Sequence, residues 1–221
     1  MTNNNNPIDV FLAQPRGFCA GVDRAIAIVE EALRIHGAPV YVRHEIVHNK
    51  RVIENLRARG AVFVKELEDI PDGAVTVFSA HGVSDAVENN ANERDLPVID
   101  ATCPLVTEIH DDIKKLEDEG RKTIIIGDHG HDEVVAIAAQ VKKPIIISNV
   151  EEAKALRKMK KAGVVSQSTQ MLENVQEIMD ILLEKVFDLR FINTICFPTR
   201  RNHQQIKELA NKNDVMIIIG S

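Results

Sequence analysis

Three cysteines, 84 and 93 residues apart, and a set of histidines and carboxylates that each follow an apolar run are the side chains here able to do chemistry. Cys19 lies in Gln14-Pro15-Arg16-Gly17-Phe18-Cys19-Ala20-Gly21-Val22-Asp23-Arg24-Ala25, where an apolar run ends and a helical pattern (Val22, Ala25, Ile26, Val29, Leu33) begins. Free backbone N–H groups and the dipole at a helix N-terminus favour an anion, so a thiol there ionises more readily and becomes a better ligand or nucleophile. The plainer reading is a small buried hydrophobe. Glycines on both sides let the backbone approach a bound group closely, which a packing cysteine does not require.

Cys103 repeats that context in Asp100-Ala101-Thr102-Cys103-Pro104, and Cys196 does so again in Asn193-Thr194-Ile195-Cys196-Phe197-Pro198-Thr199. His48, His81, His131, Glu133 and Thr169 also follow apolar runs. Each alone reads equally well as a hydrogen-bonded loop residue, but their shared position argues for one site. Three converging thiolates suit catalytic zinc with an open position, or an iron–sulfur cluster left with one iron free for a substrate oxygen. Spacing leaves zinc and iron open, because the intervals exceed any local Cys-x-x-Cys motif.

The composition narrows the function classes. The chain has 221 residues, 44% hydrophobic and 27% charged, with a net charge of -6 and a pI near 5.8. Those values describe a globular protein and argue against a nucleic-acid partner, which needs a concentrated basic face. No apolar run approaches the roughly 20 residues of a membrane span, and Thr2 to Asn6 lacks a signal-peptide core, so no membrane association and a cytoplasmic location are expected. Three cysteines cannot make a disulfide framework.

The elements that must position these residues alternate. Strands are expected at 8–12, 40–42, 61–64, 74–78, 98–100, 123–126, 144–147, 164–165, 189–191 and 215–219. Helices fill most intervals, among them one from about Val134 and one from about Arg200 to Asn211. Such alternation predicts an α/β fold of parallel sheets with helices on both faces, its ligands beyond the carboxyl ends of the strands. The near-equal cysteine intervals read as a degenerate repeat. Three α/β units around a pseudo-threefold axis would bring the thiols to one centre. Residues 1–103 form the first unit, 104–195 the second, and 196–221 the start of an incomplete third.

Five motifs carry a resemblance. They are Pro15 to Ala25, Val42-Arg43-His44-Glu45-Ile46-Val47-His48-Asn49, Phe78-Ser79-Ala80-His81-Gly82-Val83, Asp100 to Val106, and Gly130-His131-Asp132-Glu133-Val134. In this order they resemble the 4-hydroxy-3-methylbut-2-enyl diphosphate reductases of the non-mevalonate isoprenoid pathway. The resemblance implies a [4Fe-4S] cluster on Cys19, Cys103 and Cys196, whose unique iron takes the allylic hydroxyl. It implies a diphosphate pocket of His48, His81 and His131, proton supply by Glu133, and a positioning role for Thr169. The products would be isopentenyl and dimethylallyl diphosphate, with ferredoxin or flavodoxin as electron donor.

Two departures from the family pattern stand out. Thr199-Arg200-Arg201-Asn202-His203-Gln204 offsets the family's Asn-Arg-Gln triplet. Beyond Ser221, taken as the first residue of a substrate-binding phosphate loop, most of a third unit would follow. A C-terminally truncated chain is therefore expected to show little or no reductase activity and to leave one side of the cluster exposed. A zinc-dependent hydrolase of a phosphorylated small molecule and an inactive fragment are the alternatives.

Overall fold

The structure, a computed structural model, describes residues 9–219. Two four-stranded parallel sheets organise it. The first contains β1 (Val40–Arg43), β2 (Ala61–Val64), β3 (Thr76–Phe78) and β4 (Val98–Asp100), in the order β2-β1-β3-β4, with helices α1 (Ala20–His36), α2 (Lys50–Ala58) and α3 (Asp85–Glu93). After α4 (Pro104–Asp118), the second contains β5 (Lys122–Ile126), β6 (Ile145–Ile147), β7 (Met159–Ser166) and β8 (Val186–Phe191), in the order β6-β5-β7-β8, with α5 (Asp132–Ala138), α6 (Val150–Ala155) and α7 (Leu172–Lys185). Helix α8 (Phe197–Ala210) follows.

The two sheets share one topology because their strands follow one pattern. Parallel strands are covered on both faces and therefore read as apolar runs. Ile124, Ile125 and Ile126 of β5 are all fully buried, as are Val40 and Val42 of β1. Side-chain caps start the helices where the sequence provides them: Asn49 accepts from the Val52 N–H at 3.0 Å, Ser84 from Val87 at 3.2 Å and Asn149 from Glu152 at 3.0 Å.

The repeat extends to individual hydrogen bonds. His44 N–H donates to Val64 C=O and Gly127 N–H to Ile147 C=O at matching places in the two sheets. Cys103 N–H donates to Ala80 C=O and Cys196 N–H to Ser168 C=O, each acceptor being the second residue past its strand. The two units meet where Gln140 donates to Val83 C=O at 3.0 Å and His44 pairs with Asp132 at 2.8 Å.

Four expectations are corrected. Residues 9–12 and 215–219 form no strand; Val10, Phe11, Leu12, Ile217, Ile218 and Ile219 are all exposed, and Ile8 lies outside the described residues. An apolar run becomes a strand only where a neighbouring strand takes its N–H and C=O groups, and neither segment has one among the described residues. β7 has 8 residues, because Met159 and Lys161 pair with Val186 and Asp188 where the polar lysines had hidden the run. Helix α8 begins at Phe197, with Pro198 in its first turn, where a proline's missing N–H costs nothing. Helix α5 begins at Asp132, because the His131 side chain itself caps it.

Candidate active site

Each cysteine is the N-cap residue of a helix: Cys19 of α1, Cys103 of α4 and Cys196 of α8. None uses its sulfur to cap, and all three are half-buried free thiols. They converge. A Cβ built on Gly21 would lie 2.8 Å from Cys103 Sγ and 3.8 Å from Cys19 Sγ, so the glycine is what lets α1 approach the second thiol. Cys196 Sγ lies 3.0 Å from Thr199 Oγ1.

Burial pushes the Cys103 thiol up, against the pull of the Leu105 and Val106 N–H groups, and negative charge on Cys19 or Cys196 pushes it the same way. At this position the helix terminus loses to burial. Three thiolates gathered here therefore need a cation to hold them.

Zn–S bonds of about 2.3 Å would place sulfurs about 3.8 Å apart on a single zinc ion. Among the described residues only His48, His81 and Asp132 form a set of three or more ligand atoms lying within 4.8 Å of one another. The thiol triangle is thus more open than a single zinc requires, and suits a larger polynuclear group.

The imidazoles form a second cluster. His48 stacks on His81, with ring centroids 4.2 Å apart, and meets His131 edge-on at 4.9 Å. His48 precedes α2, His81 follows β3 and His131 caps α5, so three loops from two sheets supply them. Burial lowers His81 to about 4, helped by charge on His48, and lowers His131 for the same two reasons. The Glu133 N–H donates to His131 Nδ1 at 3.2 Å, so a neutral His131 carries its proton on Nε2. Ser79 Oγ lies 3.4 Å from His81 Nδ1.

Glu133, 3% exposed, is held from β7's far end: Ser168 N–H donates to Oε1 at 2.6 Å and Ser168 Oγ to Oε2 at 2.8 Å. Burial pushes its pKa up, and the two Ser168 donors oppose that. Thr169 is exposed, and its hydroxyl accepts from Gln167 instead. The hydroxyl on the carboxylate is therefore Ser168. In Ser166-Gln167-Ser168-Thr169 either neighbour could have served, and only the path of the chain past β7 decides which.

Asp132 and its partner His44 were missed as well, since nothing in their spacing distinguishes them from solvated loop residues. Ser221 lies outside the described residues. The largest groove, about 920 Å³, runs between Phe18, Ile26 and the α2 residues Lys50 and Val52, and none of the three imidazoles lines it.

Residues 10–221 match the family model described as LytB protein. The chain is 46% identical over 220 residues to a 4-hydroxy-3-methylbut-2-enyl diphosphate reductase of Mannheimia succiniciproducens, covering 96% of this chain and 70% of that one. It is 45% identical to 4-hydroxy-3-methylbut-2-enyl diphosphate reductase 1 of Rhodopseudomonas palustris, covering 96% and 71%. Among solved structures, the E-1-hydroxy-2-methyl-but-2-enyl-4-diphosphate reductase from Plasmodium falciparum superposes with a TM-score of 0.90 at 36% identity, covering 94% of this chain and 67% of that one. Among the described residues, no helix is long and apolar enough to cross a membrane.

Proposed function

The chain belongs to the LytB protein family, and from that premise we propose that it catalyses the reductive dehydroxylation of 4-hydroxy-3-methylbut-2-enyl diphosphate to isopentenyl and dimethylallyl diphosphate. The observation that carries this reading is one continuous framework. Cys103 N–H is tied to Ala80, next to His81, and Cys196 N–H is tied to Ser168, the partner of Glu133. Thiols, imidazoles and carboxylate are thereby held in fixed register.

Cys19, Cys103 and Cys196 would hold a [4Fe-4S] cluster; the thiol-rich donor set and the Gly21 cradle fit it. When bound, such a cluster supplies the two electrons one at a time and a Lewis-acidic iron without a protein ligand. His131 donates from Nε2 to a diphosphate oxygen, while His81 and His48 line the same pocket as donors.

Because burial favours its protonated form, Glu133 keeps a proton beside the leaving hydroxyl and delivers it through Ser168 Oγ. Thr169 sits one residue further out, at the mouth. One proton departs with the oxygen as water, and a second ends on carbon. A ferredoxin or flavodoxin supplies the electrons. A reducing cytoplasm suits three free thiols. Residues 1–103 and 104–195 are the two complete units, and 196–221 opens a third.

Anaerobic reconstitution tests the reading. The full chain is expected to hold about four irons and matching sulfide, and its visible spectrum is expected to shift on adding the allylic diphosphate. Protein carrying zinc without sulfide after the same treatment would overturn it.

A further inference from the structure

We infer that His48, His81 and Asp132 form a binding site for a divalent transition-metal ion of the zinc type, distinct from the thiol centre. Two imidazoles and one carboxylate are a donor set that leaves zinc an open fourth position. Their ligand atoms lie within 4.8 Å of one another, and small side-chain rotations close that to the roughly 3.3 Å edges of a tetrahedron with bonds of about 2.0–2.1 Å.

A second observation concerns what stands behind each ligand. His44 Nδ1 lies 2.8 Å from Asp132 Oδ1, Ser79 Oγ lies 3.4 Å from His81 Nδ1, and Glu45 Oε2 lies 3.7 Å from His48 Nδ1. Metal-binding side chains are oriented by such outer partners, and here all three have one. With Nδ1 of each imidazole engaged, Nε2 is the nitrogen left for the ion.

The third strand of the argument rests on the function proposed above. A carboxylate at the edge of a pocket that receives a diphosphate repels it, and a divalent cation converts that repulsion into a bridge. Asp132 then holds the ion, and the open position takes a phosphate oxygen. His131, outside the ligand set, still donates to the diphosphate directly.

The test is titration calorimetry with Zn²⁺ on the full chain carrying its anaerobically assembled cluster, which occupies the thiols, and on full chain with Cys19, Cys103 and Cys196 all replaced by serine. One Zn²⁺ per chain is expected in whichever of the two forms is folded. Asp132→Asn is expected to weaken binding by more than about 100-fold and His44→Gln by about 10- to 100-fold. His129→Gln, whose side chain pairs with Glu152 outside this cluster, is expected to leave it unchanged.

Saturating inorganic pyrophosphate is expected to tighten Zn²⁺ binding several-fold, and not to do so in Asp132→Asn. Zn²⁺ binding that ignores Asp132→Asn, or no binding in either form, overturns the site. Pyrophosphate binding without metal that survives Asp132→Asn and is lost in His131→Ala would leave the proposed function standing while removing the ion. Zn²⁺ bound through Asp132 with no pyrophosphate binding at all would do the reverse.

Discussion

Helices α4 and α8 start alike and end up in different surroundings. Both begin at a cysteine N-cap with proline in the first turn, and both carry His, Ile and Leu at the seventh, tenth and thirteenth positions after it: His110, Ile113 and Leu116 in one, His203, Ile206 and Leu209 in the other. α4 packs against β5 and β7 and buries Val106, Ile109, His110, Ile113 and Leu116. α8 buries none of its residues, and Ile206 is 43% exposed. An apolar stripe written into a helix therefore becomes core only where a sheet stands opposite it, whereas the cysteine ahead of the helix is placed by its own N–H bond to the preceding loop.

If that separation is right, the thiols behave alike although their helices do not. Cys103→Ser and Cys196→Ser are each expected to abolish the iron–sulfur cluster, read as iron and sulfide per chain after anaerobic reconstitution. Near-normal iron in Cys196→Ser would detach α8 from the centre and break the comparison at its functional end. Packing is expected to separate the same two helices. Ile113→Ala removes a fully buried side chain and is expected to cost about 2–5 kcal/mol in urea denaturation, while Ile206→Ala is expected to stay within about 0.5 kcal/mol. Equal losses would mean that α8 is covered in solution.

Burial along α4 also carries a pH signature. His110 sits against Gly82, where a Cβ would lie 2.7 Å from its ring, and its Nε2 finds no hydrogen-bond partner among the described residues. Burial lowers it to about 4; nearby Lys114 acts the same way, and Asp111, Asp85 and Asp100 oppose them. The folded imidazole thus binds a proton later than the unfolded one, so the unfolded chain holds more protons between pH 6.5 and about 4. Stability from this group is complete above pH 6.5 and falls as the pH drops towards 4, by about 3 kcal/mol at the limit. Replacing it, as in His110→Gln, is expected to flatten the fall in urea midpoint between pH 7 and pH 5, and an unchanged slope would show the ring to be solvated.

Much of this was readable from residue order. The alternation of apolar runs with helical stripes specified parallel sheets, and the cysteine intervals specified a repeat that the backbone confirms bond by bond, as in the paired links from Cys103 to Ala80 and from Cys196 to Ser168. What stayed hidden depended on neighbours distant in the chain. Residues 9–12 and 215–219 are as apolar as β5, yet no pattern within them says whether a partner strand is at hand. Ser168 and Thr169 offer the same hydroxyl, and the choice is made by Glu133, 35 residues away. Asp132 gains meaning only through His44, 88 residues distant across the junction of the two units.

The smallest expected effect sharpens the comparison at its first turn. Three residues after its cysteine α4 has Val106, buried, whereas α8 has Thr199, whose hydroxyl reaches the Cys196 sulfur at 3.0 Å. On a ligating thiolate the hydroxyl donates, and hydrogen bonds to cysteine sulfur favour the more negative, reduced state of an iron–sulfur centre. Removing one donor in Thr199→Val forfeits about 0.5–1.5 kcal/mol, equivalent for one electron to about 20–60 mV. The reduction potential of the reconstituted chain is therefore expected to become more negative by that amount, with iron content unchanged. Because Val106→Thr would place a hydroxyl in the matching position beside Cys103, it is expected to move the potential the other way. Insensitivity to both changes would mean that these positions, equivalent along their helices, do not face the sulfurs equivalently.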